Sequence, residues 1–168
     1  MTAPLAVLES PAYREEEYAF YLDDLKAKAL VVLEGDEGPS VVAARANGIS
    51  ILRLKTDAPA PAGHFTLELD GDISPSTDVR ELAVDDIALI LHTSGTTSRP
   101  KIVPLMQSNI VASAEHIKET LQLTPDDRCM NVMPLFHIHG LIAAVTASLA
   151  VGASIWCAPG FDALRFFG

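Results

Sequence analysis

Apolar residues recur along the chain with two different periods, and the changes of period mark out its elements. Tyr18, Tyr21, Leu22, Leu25 and Ala29 fall at helical spacing and predict a helix over residues 13–29. Glu15, Glu16 and Glu17 stand at its front end, where a helix dipole favours negative charge, and Pro11 precedes the start. Residues 29–33 form a short apolar run with two adjacent valines, closed by Gly35-Asp36-Glu37-Gly38, which predicts a buried strand and a turn. A short helix is expected over residues 40–46, stopped by Asn47-Gly48, and a strand over residues 49–54. Alanines and prolines make residues 56–63 irregular, residues 65–69 alternate as a strand, and residues 71–78 are a polar loop. In residues 86–92, Ile87, Ala88, Leu89, Ile90 and Leu91 leave no polar side, as in a strand buried on both faces. Ile110, Val111, Ala114, Ile117 and Leu121 carry a helix over residues 108–121. Thr124-Pro125-Asp126-Asp127 then turns the chain into a strand at residues 129–133. A buried helix over residues 141–151 stops at Gly152, and residues 153–157 are the last strand.

Strands alternate with helices, and several strands are apolar throughout. The pattern predicts an α/β fold, with a mostly parallel sheet and helices on both faces. A length of 168 residues is that of one domain able to close a core. The chain ends on Leu164, Phe166 and Phe167 with nothing after them to cover them, so it reads as cut rather than finished, with self-association through exposed core surface as a consequence.

Charge and cysteine content narrow the chemistry. A net charge of −10 argues against nonspecific nucleic-acid binding, which needs a basic field. It does not exclude a small anion, because backbone N–H groups and one lysine can grip phosphates inside an acidic protein. Cys129 and Cys157 belong to no C-x-x-C pattern and are expected to be reduced, buried thiols of a cytoplasmic protein. The first ten residues lack the pattern of a signal peptide, and the apolar stretch 141–151 is too short to cross a bilayer.

The most distinctive segment is His92-Thr93-Ser94-Gly95-Thr96-Thr97-Ser98-Arg99-Pro100-Lys101, placed after an apolar strand and before a helix. Hydroxyls surround one glycine, so the backbone can turn tightly while O–H and N–H groups converge, and Lys101 adds a full positive charge. That is the composition of a polyphosphate pocket. It is not a Walker A loop, because Lys101 is followed by Ile102. An ordinary Ser/Thr-rich surface loop is the plainer alternative.

Thr-Ser-Gly-Thr-Thr-x-x-Pro-Lys resembles the signature of the adenylate-forming superfamily, which contains acyl-CoA synthetases, adenylation domains and luciferases. Ser98 and Ile102 stand where that family usually carries glycine. The resemblance implies that Thr93, Ser94, Gly95, Thr96, Thr97 and Lys101 contact the β- and γ-phosphates of ATP and orient pyrophosphate as the leaving group.

A second cluster, Met133-Pro134-Leu135-Phe136-His137-Ile138-His139-Gly140, follows the strand predicted at residues 129–133. An H-x-H pair on a strand puts both rings on one face, as zinc would require, but no third ligand is near in sequence, and no metal site is expected. Pro-Leu-Phe-His-x-x-Gly resembles the second shared motif of acyl-CoA synthetases, in which the histidine lines the site of the carboxylate. His137 matches that residue. His139 falls where related ligases carry an aromatic against the acyl group, and a histidine there can donate hydrogen bonds to a small polar acid. Residues 11–13 also match the family's Asn-Pro-Ala-Tyr segment, with Ser10 in place of the asparagine. The motif wording is closest to the oxalate–CoA ligase and peroxisomal-type branch.

The resemblance therefore implies ATP, Mg2+ carried with it, and coenzyme A as co-substrate, with Lys101 and His137 as catalytic residues and His137 and His139 as acid-binding ones. The family's Tyr-x-x-Thr-Glu and Thr-Gly-Asp segments, and its C-terminal domain with a further lysine, are not among these residues. Residues 1–168 are accordingly expected to be part of an N-terminal adenylation domain, incapable of catalysis alone. A non-catalytic nucleotide-binding or interaction module derived from such an enzyme is the competing reading. A phosphotransferase would need acidic metal ligands by the loop, and Asp85-Asp86 and Asp126-Asp127 read instead as strand and turn caps.

Overall fold

The computed structural model describes residues 5–6, 12–56, 59–70, 81–93, 100–164 and 166. Where length predicts one domain, the chain divides into two compact units, one of residues 10–78 and one of residues 79–168 joined by the strand near the N-terminus.

The first unit opens with α1 (Glu15–Asp24), whose first turn holds Glu15, Glu16 and Glu17. Glu17 reaches back to accept the Arg14 backbone N–H at 2.8 Å, which satisfies an amide that the helix itself leaves without a partner. Tyr18, Tyr21 and Leu22 are buried, and Tyr13 stacks on Tyr21 at 5.2 Å between ring centroids. The helix is shorter than its apolar spacing predicts. The chain leaves it at Leu25 and passes through Lys26 at φ 50°, in the left-handed region, before Ala29 enters a strand.

That strand, β2 (Ala29–Leu33), pairs in parallel with β3 (Ser50–Lys55), and β3 pairs antiparallel with β4 (Thr66–Asp70). Between β2 and β3 runs α2 (Pro39–Ala46), with proline in its first turn and Val41, Ala43 and Ala44 buried. The Asn47 carboxamide donates to the Ala43 carbonyl at 2.8 Å, and Gly48, at φ 64°, ends the helix as its sequence predicts. β2 is not the buried strand its composition suggests. Leu30 is covered, but Val31 and Leu33 are 47% and 65% exposed. The polar loop expected at residues 71–78 lies outside the described residues.

Charge holds the far side of this unit. Arg53, on β3, is buried, donating to the Asp36 carbonyl, to Glu37 at 2.6 Å and to Asp70 at 3.0 and 3.2 Å. Arg45, on α2, meets the same two carboxylates at 2.5 and 3.6 Å. Turn, helix and two strands are thereby tied through one network.

In the second unit, β1 (Leu5–Ala6) runs parallel to β5 (Ile87–Thr93), and β5 pairs antiparallel with β6 (Lys101–Met106). α3 (Gln107–Leu121) follows β6 directly and ends at Gln122, in the left-handed conformation. Thr124 donates its N–H to Asp127 at 2.7 Å and Ala83 donates to Asp86 at 2.8 Å, so Asp127 and Asp86 are the caps expected of them. β7 (Arg128–Asn131) and β8 (Ser154–Cys157) form a two-stranded parallel sheet. Three of the five strand pairings are thus parallel and two antiparallel. The α/β reading stands, with mixed sheets.

The helix predicted over residues 141–151 takes another form: a π-helical segment (His139–Thr146) followed by α4 (Ala147–Ala150). The Thr146 hydroxyl donates to the Leu141 carbonyl at 2.8 Å, a bond five residues back that matches the wider turn. Both cysteines are free, as expected, but neither is buried: Cys129 is half-buried, and Cys157 is exposed at the end of β8. A two-stranded sheet leaves too little cover for its last residue.

The Glu37 carboxyl is held below its usual 4.5, first by the hydrogen bond from Arg45 and then by the charges of Arg45 and Arg53, against the opposing effect of desolvation. A carboxyl depressed by folding lends stability that is present above its ordinary value and lost as pH falls through the depressed one. Acid unfolding followed by circular dichroism should therefore show stability declining below the usual value of 4.5, and Glu37→Gln should flatten part of that decline. Arg53→Met, measured by urea unfolding, is expected to cost about 2 kcal/mol, the scale of lost hydrogen bonds to charged partners.

Candidate functional site

β5 and β6 pair antiparallel, and the hydroxyl-rich segment lies between them in the chain. Residues 94–99, with Ser94, Gly95, Thr96 and Thr97, lie outside the described residues; the two ends of the loop do not. Thr93 closes β5, Lys101 opens β6, and the two are direct partners across the antiparallel ladder. The loop thus runs from strand to strand, where its sequence context predicts strand to helix. β6 escapes notice because Pro104 argues against a strand. Its position at the sheet edge explains the tolerance, since an edge strand can lack one N–H.

Register decides which way these residues face. Residues opposed across a ladder share a face, and every second residue along a strand shares it too. From Leu89 onward the pairs Leu89–Leu105, Leu91–Val103 and Thr93–Lys101 are in register, so all six residues lie on one face. Leu89 and Leu91 are buried on that face against Ile142, with Leu105, Ile110 and Leu141 packed around them. Thr93 and Lys101, both exposed, therefore emerge on the side of the sheet against which the π-helical segment packs. A threonine hydroxyl and a lysine ammonium offer a donor and a charge to a phosphate at that mouth.

The same segment carries the histidines. His137 and His139 are not on a strand. His137 lies in a turn that leads from Met133 into the π-helical segment, His139 is the first residue of that segment, and both are exposed. The turn is closed by the His137 N–H donating to the Pro134 carbonyl at 3.1 Å and the Leu141 N–H donating to the His137 carbonyl at 3.1 Å. The His139 backbone N–H donates to Nδ1 of His137 at 3.2 Å. A backbone amide can only donate, so Nδ1 is the bare acceptor, and in the neutral ring the proton sits on Nε2. His137 therefore keeps an N–H free to meet an acceptor such as a carboxylate oxygen. Among the described residues no group of three or more His, Cys, Asp or Glu gathers in a metal-binding cluster.

Two supports of this turn were not foreseen. A Cβ on Gly140 would stand 2.7 Å from the Pro134 carbonyl and 3.0 Å from that of Met133, so glycine alone allows the backbones to approach this closely. Asn131, at the end of β7, is buried and bonds Met133 on both sides. The glycine of Pro-Leu-Phe-His-x-x-Gly was a legible signal. Nothing in the sequence singles out Asn131. His64 and His116 are exposed.

A sequence profile described as AMP-binding enzyme matches residues 5–167. The chain belongs to that family. It is 39% identical over 158 residues to a probable CoA ligase of Humulus lupulus, covering 92% of this chain and 29% of that protein. It is 36% identical over 188 aligned positions to an oxalate–CoA ligase of Saccharomyces cerevisiae, covering 99% and 35%. Among solved structures, ATP-bound MatB from Rhodopseudomonas palustris superposes with a TM-score of 0.67 at 26% identity, over 90% of this chain and 29% of that one. The chain thus spans about a third of the length of the curated relatives it matches.

Gly140→Ala should force the Pro134 and Met133 carbonyls apart. The expected cost is about 1–3 kcal/mol, the usual scale of overpacking, read by urea unfolding, with the His137 and His139 resonances shifted more than those of His116.

Proposed function

We propose that this protein activates a small carboxylic acid with ATP and passes it to coenzyme A, within a polypeptide of the length of its relatives. A carboxylate oxygen attacks the α-phosphorus, pyrophosphate leaves, and the thiol of coenzyme A then displaces AMP from the acyl-adenylate. Residues 1–168 supply part of the N-terminal adenylation domain, with the small C-terminal domain outside them. The observation that carries the reading is the Thr93–Lys101 pair. It stands at the mouth of a loop with the family's phosphate wording, on the sheet face against which Leu141 and Ile142, just after the histidine turn, pack.

In this reading Thr93, Ser94, Gly95, Thr96, Thr97 and Lys101 grip the β- and γ-phosphates, and Lys101 neutralises charge as pyrophosphate departs. Magnesium arrives on the phosphate oxygens of ATP. His137 offers its Nε2–H to the acid. His139 stands beside it and favours a short polar acid over a long chain, in keeping with the oxalate–CoA ligase among its relatives. No helix among the described residues is long and apolar enough to cross a membrane, and a cytoplasmic enzyme, free to associate with itself, is the simplest setting.

Isothermal titration of the 168-residue chain with Mg-ATP should show binding that Lys101→Ala weakens about tenfold or more, the scale of one lost charge-assisted contact. Acid-dependent ATP–pyrophosphate exchange, with oxalate, malonate, fatty and aromatic acids, should be absent for this chain alone. It should be present in the full-length enzyme and fall at least a hundredfold in Lys101→Ala, the cost of removing one group that stabilises developing charge. ATP binding without exchange in the full-length enzyme would favour a non-catalytic nucleotide-binding module. Binding indifferent to Lys101 would refute the phosphate assignment.

A further inference from the structure

Asn131 closes β7 and is 4% exposed, one of the most deeply buried polar residues described. A carboxamide so far from water has to find partners for both its oxygen and its nitrogen. Both lie on one residue. Nδ2 donates to the Met133 carbonyl at 3.1 Å, and the Met133 N–H donates to Oδ1 at 3.1 Å. A single side chain thus takes up both backbone polar groups of Met133, which is where the histidine turn begins.

From Met133 the constraint runs without a gap to the imidazole. The Met133 and Pro134 carbonyls abut Gly140, the Pro134 carbonyl accepts the His137 N–H, and the His139 N–H holds Nδ1 of the His137 ring. We propose that Asn131 is a positioning residue for His137: by fixing Met133 it holds the turn in which the His139 amide keeps Nδ1 as acceptor and Nε2 as donor. A carboxylate offers only acceptor oxygens, so it is bound by an N–H and repelled by a bare ring nitrogen. This deepens the acid-activation reading and rests on it for its kinetic consequence; the ring geometry itself does not.

The simpler account is that Asn131 only caps the end of β7. Asn47, whose carboxamide bonds the Ala43 carbonyl at the end of α2, serves as the matched control. In 15N-labelled chain, Asn131→Ala should speed hydrogen exchange of the His139 amide about tenfold or more, the effect of one lost hydrogen-bonded closure. It should also move the His137 Nδ1 resonance, while His116 and the amides of the β7–β8 ladder keep their values. Asn47→Ala should move neither His137 reading. A folded Asn131→Ala chain with the His139 amide and His137 Nδ1 unchanged overturns the proposal, as does exchange lost mainly along the β7–β8 ladder. Should Asn131→Ala fail to fold, Asn131→Asp, which can accept from Met133 but not donate to it, is read in the same way. Should both fail, a His139 amide unprotected in the unsubstituted chain overturns it and a protected one upholds it.

In the full-length enzyme, Asn131→Ala should raise KM for the acid about tenfold with KM for ATP unchanged. An equal change in both overturns the positioning role. An unsubstituted full-length enzyme without any acid-dependent exchange would sink the adenylation reading instead, and the amide measurement would then decide the role of Asn131 alone.

Discussion

One face of β5 sets where the candidate site is. Leu89 and Leu91, 4% and 8% exposed, are buried there against Ile142, and each such side chain taken from water contributes about 1.5–3 kcal/mol. The period of a strand is two, so a slip of one residue would turn both leucines to the opposite face. It would carry Thr93, on the same face of the same strand, away from its partner Lys101 on β6. The facing of the two ends of the hydroxyl-rich loop is therefore fixed by burial of leucine a few residues away. The polar residues inherit a direction that the apolar ones enforce.

The histidine turn depends on backbone in another way. Its bonds run from amide to carbonyl or from amide to ring, and Gly140 lets two carbonyls come within a distance that any side chain would forbid. Such a turn is held by backbone bonds while its histidines stay exposed. The π-helical segment that follows is part of the same arrangement. Its Leu141 and Ile142 seat the turn on β5, and the Thr146 hydroxyl takes up a carbonyl that the wider winding leaves differently placed. π-helical turns are rare and concentrate at functional sites.

Much of this was legible in the residues. β2 spans the run that its valines predict, and α2 ends at Asn47-Gly48 as it should. The misses share a cause: local pattern overruled by surroundings that no pattern encodes. Pro104 hid β6, because tolerance of proline depends on which strand is the edge. Ala29 continued the helical spacing of α1, but Lys26 had already turned the chain. The apolar run 141–151 predicted helix correctly and could not distinguish the π form, which lies in the winding of the backbone over His139–Thr146 and leaves no mark on the apolar spacing. At the site, motif wording pointed to Thr93, Lys101, His137 and His139, and it contained Gly140 without revealing that glycine's structural part. Asn131 stayed silent, because one buried asparagine has no periodicity; its meaning lies in two hydrogen bonds to a residue two places away.

An acidic chain that grips a polyanion needs its attraction to be local. Its 22 carboxylates outnumber its 12 lysines and arginines, but at physiological salt charges more than about 8 Å apart on the surface are largely screened. Several cations of the first unit are committed to carboxylates there: Arg45 and Arg53 to Glu37 and Asp70, Lys55 to Glu34 and Glu68. Those cations are spent on joining strand to helix. In the proposed reading, what serves a phosphate is short-range: Lys101 and Thr93, direct partners across the β5–β6 ladder. Such a site discriminates by geometry rather than by field. It fits a small nucleotide held in one pose, and it gives no purchase to a nucleic-acid backbone, whose binding grows with the number of phosphates neutralised.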